Sequence, residues 1–150
     1  MPHDFAALWP MRHRIYQDFA RTGAPPSLDA LSRDLSLTAD EARATLRELG
    51  RRHAVTLTDA GDAVLMANPF SAVPTPFRVR AGKVSYWANC AWDMLGVPAA
   101  LGADATIDAT WAVDGAPAAL RVEGGRVTGA EGIVHFLKPF RTWYDDIRDT

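Results

Sequence analysis

Apolar residues recur at helical spacing through the first fifty positions and at strand-like spacing beyond them. Phe5, Leu8, Ile15 and Phe19 mark one helical stripe, interrupted by Arg12 and closed by Gly23-Ala24-Pro25-Pro26. Ser27 is placed to cap a short second helix carrying Leu28, Leu31 and Leu35. Thr38-Ala39-Asp40-Glu41 has capping-box spacing, in which hydroxyl and carboxylate each satisfy a backbone donor where a helix begins. That third helix would turn Ala42, Leu46 and Leu49 inward. Val55-Thr56-Leu57 and Ala63–Met66 flank a turn at Asp59-Ala60-Gly61, which predicts a two-stranded wing. Residues 1–67 thus have the pattern of a winged helix-turn-helix.

The texture changes across Asn68–Pro76. Three prolines within eight positions remove backbone donors and fix backbone angles, so residues 68–76 are expected to be an extended connection rather than a helix or a central strand. Residues 77–150 predict strands at Phe77–Arg80, Val84–Trp87, Ala105–Val113, Ala118–Val122 and Ile133–Leu137. Turns at Ala81-Gly82-Lys83, Asp114-Gly115 and Gly124-Gly125 separate some of them. One helix is expected at Cys90–Leu95, ended by Gly96-Val97-Pro98. The expected fold class is α+β: a helical N-terminal unit followed by a small mixed sheet with a cysteine-bearing helix packed on it.

Composition narrows the function classes. With 48% hydrophobic and 23% charged residues in 150, the chain can bury a core without staples. A net charge of −2 makes no global case for nucleic acid or an anionic membrane. A single cysteine excludes an internal disulfide and is consistent with a reducing compartment. No stretch reads as a signal peptide, and no apolar run approaches the roughly 20 residues that span a bilayer, so a cytoplasmic location is expected.

The most pointed chemistry is the pair Cys90 and Asp93. Residues three apart share one face of a helix, which would bring a soft nucleophile to a proton carrier. Amide donors near the helix start favour a thiolate; the neighbouring carboxylate opposes it, so the two groups are expected to share a proton. Trp87 and Trp92 would desolvate the aspartate and raise its pKa. The plainer reading makes Cys90 a small buried hydrophobe, Asp93 a solvated or capping residue and the tryptophans core aromatics. A cysteine hydrolase needs a histidine base. Of His3, His13, His53 and His135, only His135 falls in the same half, and it reads as a strand residue. No Cys or His pair has metal-ligand spacing, and Gly124-Gly125 with Gly129 form no phosphate loop. Arg43, Arg47 and Arg51 share a face of the third helix, where a winged helix would contact DNA. Residues 1–80 nevertheless hold ten basic and nine acidic side chains, little surplus for phosphate neutralisation, so DNA is not the expected partner.

The run Trp87-Ala88-Asn89-Cys90-Ala91-Trp92-Asp93-Met94-Leu95-Gly96-Val97-Pro98-Ala99-Ala100-Leu101-Gly102 resembles the core motif of the alkylmercury (organomercurial) lyases. Asn68-Pro69-Phe70-Ser71, Phe77-Arg78-Val79, Val134-His135-Phe136 and Phe140–Tyr144 resemble further parts of that family. The resemblance covers most of residues 60–150. It implies a winged-helix-like part joined to a mixed α/β catalytic part at 77–150, and protonolysis of a carbon–mercury bond to a hydrocarbon and Hg(II). It also implies Cys90 as first thiol and mercury ligand, and Asp93 as proton carrier. The family uses a second cysteine after the Trp-Tyr-Asp stretch. This sequence reaches Thr150 without one, as a truncated frame or a divergent member would. No resident cofactor is implied. An external thiol such as glutathione would supply the second sulfur, an organomercurial would be the substrate, and mercuric reductase would accept Hg(II). The alternative carried by the same residues is a winged-helix transcription regulator sensing soft metals or electrophiles through Cys90.

Overall fold

The computed structural model describes residues 5–129, 131–145 and 147, with the side chains of Phe5 and Ala6 excepted. His3 and the last three residues of the sequence therefore lie outside the described residues. Three helices come first: α1 (Phe5–Thr22), α2 (Leu28–Asp34) and α3 (Ala39–Arg51). Leu8, Met11, Ile15 and Phe19 bury one face of α1, while Arg12 is half-buried and lies over the rings of Trp9 and Tyr16. The caps are where the sequence puts them. Ser27 accepts from the Ala30 N–H, and Thr38 and Glu41 form the reciprocal capping box.

Strands β1 (Thr56–Leu57), β2 (Val64–Ala67), β3 (Phe70–Ser71), β4 (Arg78–Ala81), β5 (Val84–Ala88), β6 (Ala105–Thr110), β7 (Pro117–Glu123) and β8 (Arg126–Thr128) form one sheet, ordered β1-β2-β3-β5-β4-β6-β7-β8. Every pairing among the described residues is antiparallel, so the expected mixed sheet is corrected. The architecture is α+β.

Four local expectations also change. Phe70–Ser71, inside the proline-rich stretch, is a central strand between β2 and β5. Its flanking prolines fall outside the two ladder residues, and Phe70 stacks on Phe19 at 5.3 Å, which repays its burial. The strand expected at Ala105–Val113 ends at Thr110, where Trp111 and Gly115 close a turn. Ile133–Leu137 joins no ladder among the described residues, although burial alternates there: Val134 and Phe136 are half-buried, and Ile133, His135 and Leu137 are exposed. A short 3-10 helix follows at Phe140–Asp145.

The cysteine-bearing helix is displaced. The fourth helix, α4, spans Asp93–Leu101, so Cys90 precedes it, and Gly96 and Pro98 lie inside rather than ending it. Packing overrides propensity here: Met94, Val97 and Pro98 are buried against β4 and β5. Gly102, in the left-handed region, ends α4 instead. One hydrophobic core runs from the helices through Phe70 and Tyr86 to β7, and the Tyr86 hydroxyl donates to the Ala20 carbonyl at 2.7 Å. Among the described residues no helix is long and apolar enough to cross a membrane.

Candidate active site

Strand β5 delivers Asn89 and Cys90 to the start of α4. The Met94 N–H donates to the Cys90 carbonyl at 3.1 Å, so the chain is already turning helically one step before α4 begins. Trp92, at the cap position, has helical angles and makes no side-chain cap bond. The Cys90 thiol interacts with the Asp93 carboxyl and with the backbone N–H groups of Trp92 and Asp93 at this turn. Cys90 and Asp93 thus interact across the turn that leads into α4, and not across one helix face.

Burial and charge oppose each other at both groups. Burial pushes the Cys90 thiol above its ordinary pKa. The Asp93 carboxylate adds to that push by its charge and as hydrogen-bond acceptor, against the two backbone N–H donors. Burial likewise raises Asp93, opposed by hydrogen bonds from Cys90 and Asn89. The result is a protonated thiol beside a carboxylate held above the usual range, a pair suited to passing one proton between sulfur and oxygen.

The expected source of desolvation is not the actual one. Trp92 is 59% exposed, and Trp87 is half-buried beneath the Arg78 guanidinium at 5.6 Å. Tyr16 of α1 lies on the Asp93 side. Its pKa is raised first by burial and also by the Asp93 charge, against Arg12, and its hydroxyl donates to the Asn68 carbonyl at 2.9 Å. Gly96 admits Pro69 to the same place, since a Cβ there would stand 3.0 Å from the Pro69 Cβ. Asn89 completes the cluster. Its Nδ2 donates to Asn68 Oδ1 at 2.8 Å, and its own Oδ1 is buried with no partner among the described residues. Asn89 and Tyr16 were not singled out from the sequence. Their positions depend on long-range pairing, and the one local clue was adjacency of Asn89 to Cys90.

Cys90 opens on a cleft of about 440 Å³ whose walls include Phe77, Met94, Leu95, Trp111 and Phe136. Asp93 does not line it. His135 does line it, from a segment that joins no strand among the described residues, and this corrects the reading of His135 as a strand residue. His13 and His53 lie elsewhere, the latter tilted against the Tyr144 ring at 4.0 Å.

The arginine face of α3 is largely neutralised. Arg51 donates to Glu48 at 2.8 Å, Arg43 to Asp40 at 3.3 Å, and Arg47 reaches the Ala60 carbonyl at 3.5 Å. The DNA-binding alternative is not favoured. Among the described residues no group of three or more His, Cys, Asp or Glu could hold a metal ion.

The family model for alkylmercury lyase (MerB) matches residues 70–150, more than half of the chain and the whole of the Cys90–Asp93 segment. The chain belongs to the alkylmercury lyase family. Its fold is similar to that in the crystal structure of the mercury-bound form of MerB2, with a TM-score of 0.65 at 21% identity. The match covers 82% of this chain and 58% of that one, so this chain spans less than two thirds of that protein's length. No curated protein matches it in sequence.

Proposed function

We propose that this alkylmercury lyase family member cleaves the carbon–mercury bond of organomercurials, with Cys90 as mercury ligand and Asp93 as proton carrier. The observation that carries the reading is a sulfur that lines an apolar cleft and interacts with the half-buried Asp93 carboxyl. Mercury prefers thiolate to oxygen or nitrogen ligands, and the apolar walls suit the organic group.

The steps balance as follows. The Cys90 thiol gives its proton to Asp93, and the sulfur displaces the exchangeable anion from R–Hg–X, forming S–Hg and releasing X⁻. A second thiolate adds to mercury and weakens the carbon–mercury bond. The proton on Asp93 passes to carbon, R–H leaves, and Hg(II) remains on two sulfurs. Cys90 is the one cysteine of these 150 residues, so the second sulfur comes from outside them, supplied by a low-molecular-weight thiol such as glutathione. Delivery of Hg(II) onward, to mercuric reductase, fits a product held by exchangeable thiolates.

In this reading the three helices and the β1–β2 hairpin serve as a winged-helix-like scaffold that brings Tyr16 within electrostatic reach of Asp93. The test is benzene release from phenylmercury in excess thiol. The reading predicts release by the native sequence and none above background by Cys90→Ala. Equal release by both would overturn it.

A further inference from the structure

Away from the Cys90 cleft, α3 is closed by a histidine in a backbone conformation that suits glycine. His53 has φ of 57°, its N–H donates to the Gly50 carbonyl at 2.9 Å, and the Ala54 N–H donates to the Leu49 carbonyl at 3.0 Å. Those two bonds end the helix through a left-handed residue, where a side chain strains the backbone and glycine does not. The His53 ring meets Tyr144 at 4.0 Å and lines two cavities, of about 280 Å³ and about 220 Å³. Both are also lined by Thr56 and Tyr144, so they form one groove, and neither shares a lining residue with the Cys90 cleft.

The groove is rich in donors and poor in acids. Arg47 lines the larger cavity and Arg12 the smaller, and among the described residues no aspartate or glutamate lines either. Arg51 is held by Glu48, but Arg12 and Arg47 have no carboxylate partner among the described residues. Arg47 reaches only the Ala60 carbonyl, at 3.5 Å. Arg12 is half-buried over the rings of Trp9 and Tyr16, at 5.1 and 4.7 Å, which hold the guanidinium without neutralising it. A charge partly withdrawn from water attracts an anion more strongly than one on the open surface.

We propose that this groove is a second ligand site, taking a small oxyanion, carboxylate or phosphate, on Arg12, Arg47 and His53. A guanidinium presents paired N–H groups that match two oxygens of either anion. The imidazole of His53 adds an N–H donor and, lining both cavities, joins the two arginines into one site. The site stands apart from the lyase reading, since none of Cys90, Asn89 and Asp93 lines it. It adjoins the Cys90 site through Asn68, which lines the smaller cavity and accepts from Asn89 at 2.8 Å.

The test titrates the native sequence with inorganic phosphate and, separately, with succinate, in low-salt buffer containing neither. Proton–nitrogen NMR signals of the Arg12, Arg47 and His53 side chains report the site, and thermal melts report the linked gain in stability. We expect saturable shifts at all three residues and a Tm that rises with anion concentration. Tighter phosphate assigns a phosphorylated ligand and tighter succinate a dicarboxylate; either supports the site. Arg12→Gln should weaken binding by about tenfold or more, the effect of losing a charge-assisted hydrogen bond. Arg47→Gln should weaken it severalfold, and because Arg47 is exposed, that variant keeps the test open if Arg12→Gln fails to fold. His53→Gly, which suits the left-handed backbone better, should weaken binding severalfold in folded protein. No saturable shift with either anion at about 10 mM, where a millimolar site is mostly filled, would overturn the inference. So would binding equal to the native value in the folded arginine variants. Benzene release from phenylmercury is measured apart from this titration, so the groove and the lyase reading fail separately.

Discussion

Asn89 donates to Asn68 across 2.8 Å, tying the residue next to the sulfur to the turn that precedes β3. The same side chain acts to lower the Asp93 pKa and carries a buried Oδ1 without a partner among the described residues. An orphaned acceptor costs on the order of 1–3 kcal/mol, which offsets what the bond to Asn68 contributes. Asn89→Ala loses hydrogen bonds but also sheds the orphan. We therefore expect a stability change within about 1 kcal/mol by urea denaturation. Because Asn89 opposes the effect of burial on Asp93, the variant should move the Asp93 protonation midpoint still higher, as read by carbon-13 NMR of its carboxyl.

Asp93 itself should weigh against the fold at neutral pH. Its folded pKa is raised above its unfolded value, chiefly by burial, so the ionised carboxylate is disfavoured by folding. Below the unfolded value both states are protonated and there is no penalty. The penalty grows as pH rises through the folded value and is complete above it. Asp93→Asn should accordingly raise Tm at pH 7 relative to the native sequence, with the gain shrinking towards pH 3. A uniform shift at both pH values would contradict this.

Glu48 works in the opposite sense. Hydrogen bonds from Arg51 and then Arg52 lower its pKa to about 2. Its stabilising contribution is present above the ordinary glutamate value and is lost as pH falls from about 4.5 through about 2. Glu48→Gln should flatten that part of the stability–pH curve and leave thiol chemistry at Cys90 unchanged, measured by thermal melts and by maleimide labelling respectively.

Gly96 should not tolerate a side chain. A Cβ would press on Pro69 at 3.0 Å, with Asp93 Oδ1 at 3.9 Å. Gly96→Val should cost about 1–3 kcal/mol through overpacking and slow the reaction with organomercurials by shifting α4. Chemical denaturation and adduct-formation rates check the two parts separately.

Much of this was legible in the sequence where the signal is local. The caps at Ser27 and Thr38, the buried faces of α1 and α3, and the approach of Cys90 to Asp93 all follow from spacings of three or four residues. What failed depended on distant partners. Pro98 stays inside α4 because β4 and β5 bury it, and Phe70 becomes a central strand because Phe19 and Tyr86 cover it. Ile133–Leu137 has strand-like alternation yet lies in the cleft wall, held by aromatic packing rather than a ladder. Family resemblance supplied what periodicity lacked at the Cys90 motif, while Asn89 and Tyr16 became visible only in three dimensions.

The claim that sulfur and carboxyl act together is tested most directly by single-turnover reaction of Asp93→Asn with phenylmercury in excess thiol, with bound mercury and released benzene followed in the same sample. The account predicts mercury captured at Cys90 with benzene release slowed by about 10²–10⁴-fold relative to the native sequence. Capture accompanied by benzene release at the native rate would contradict it.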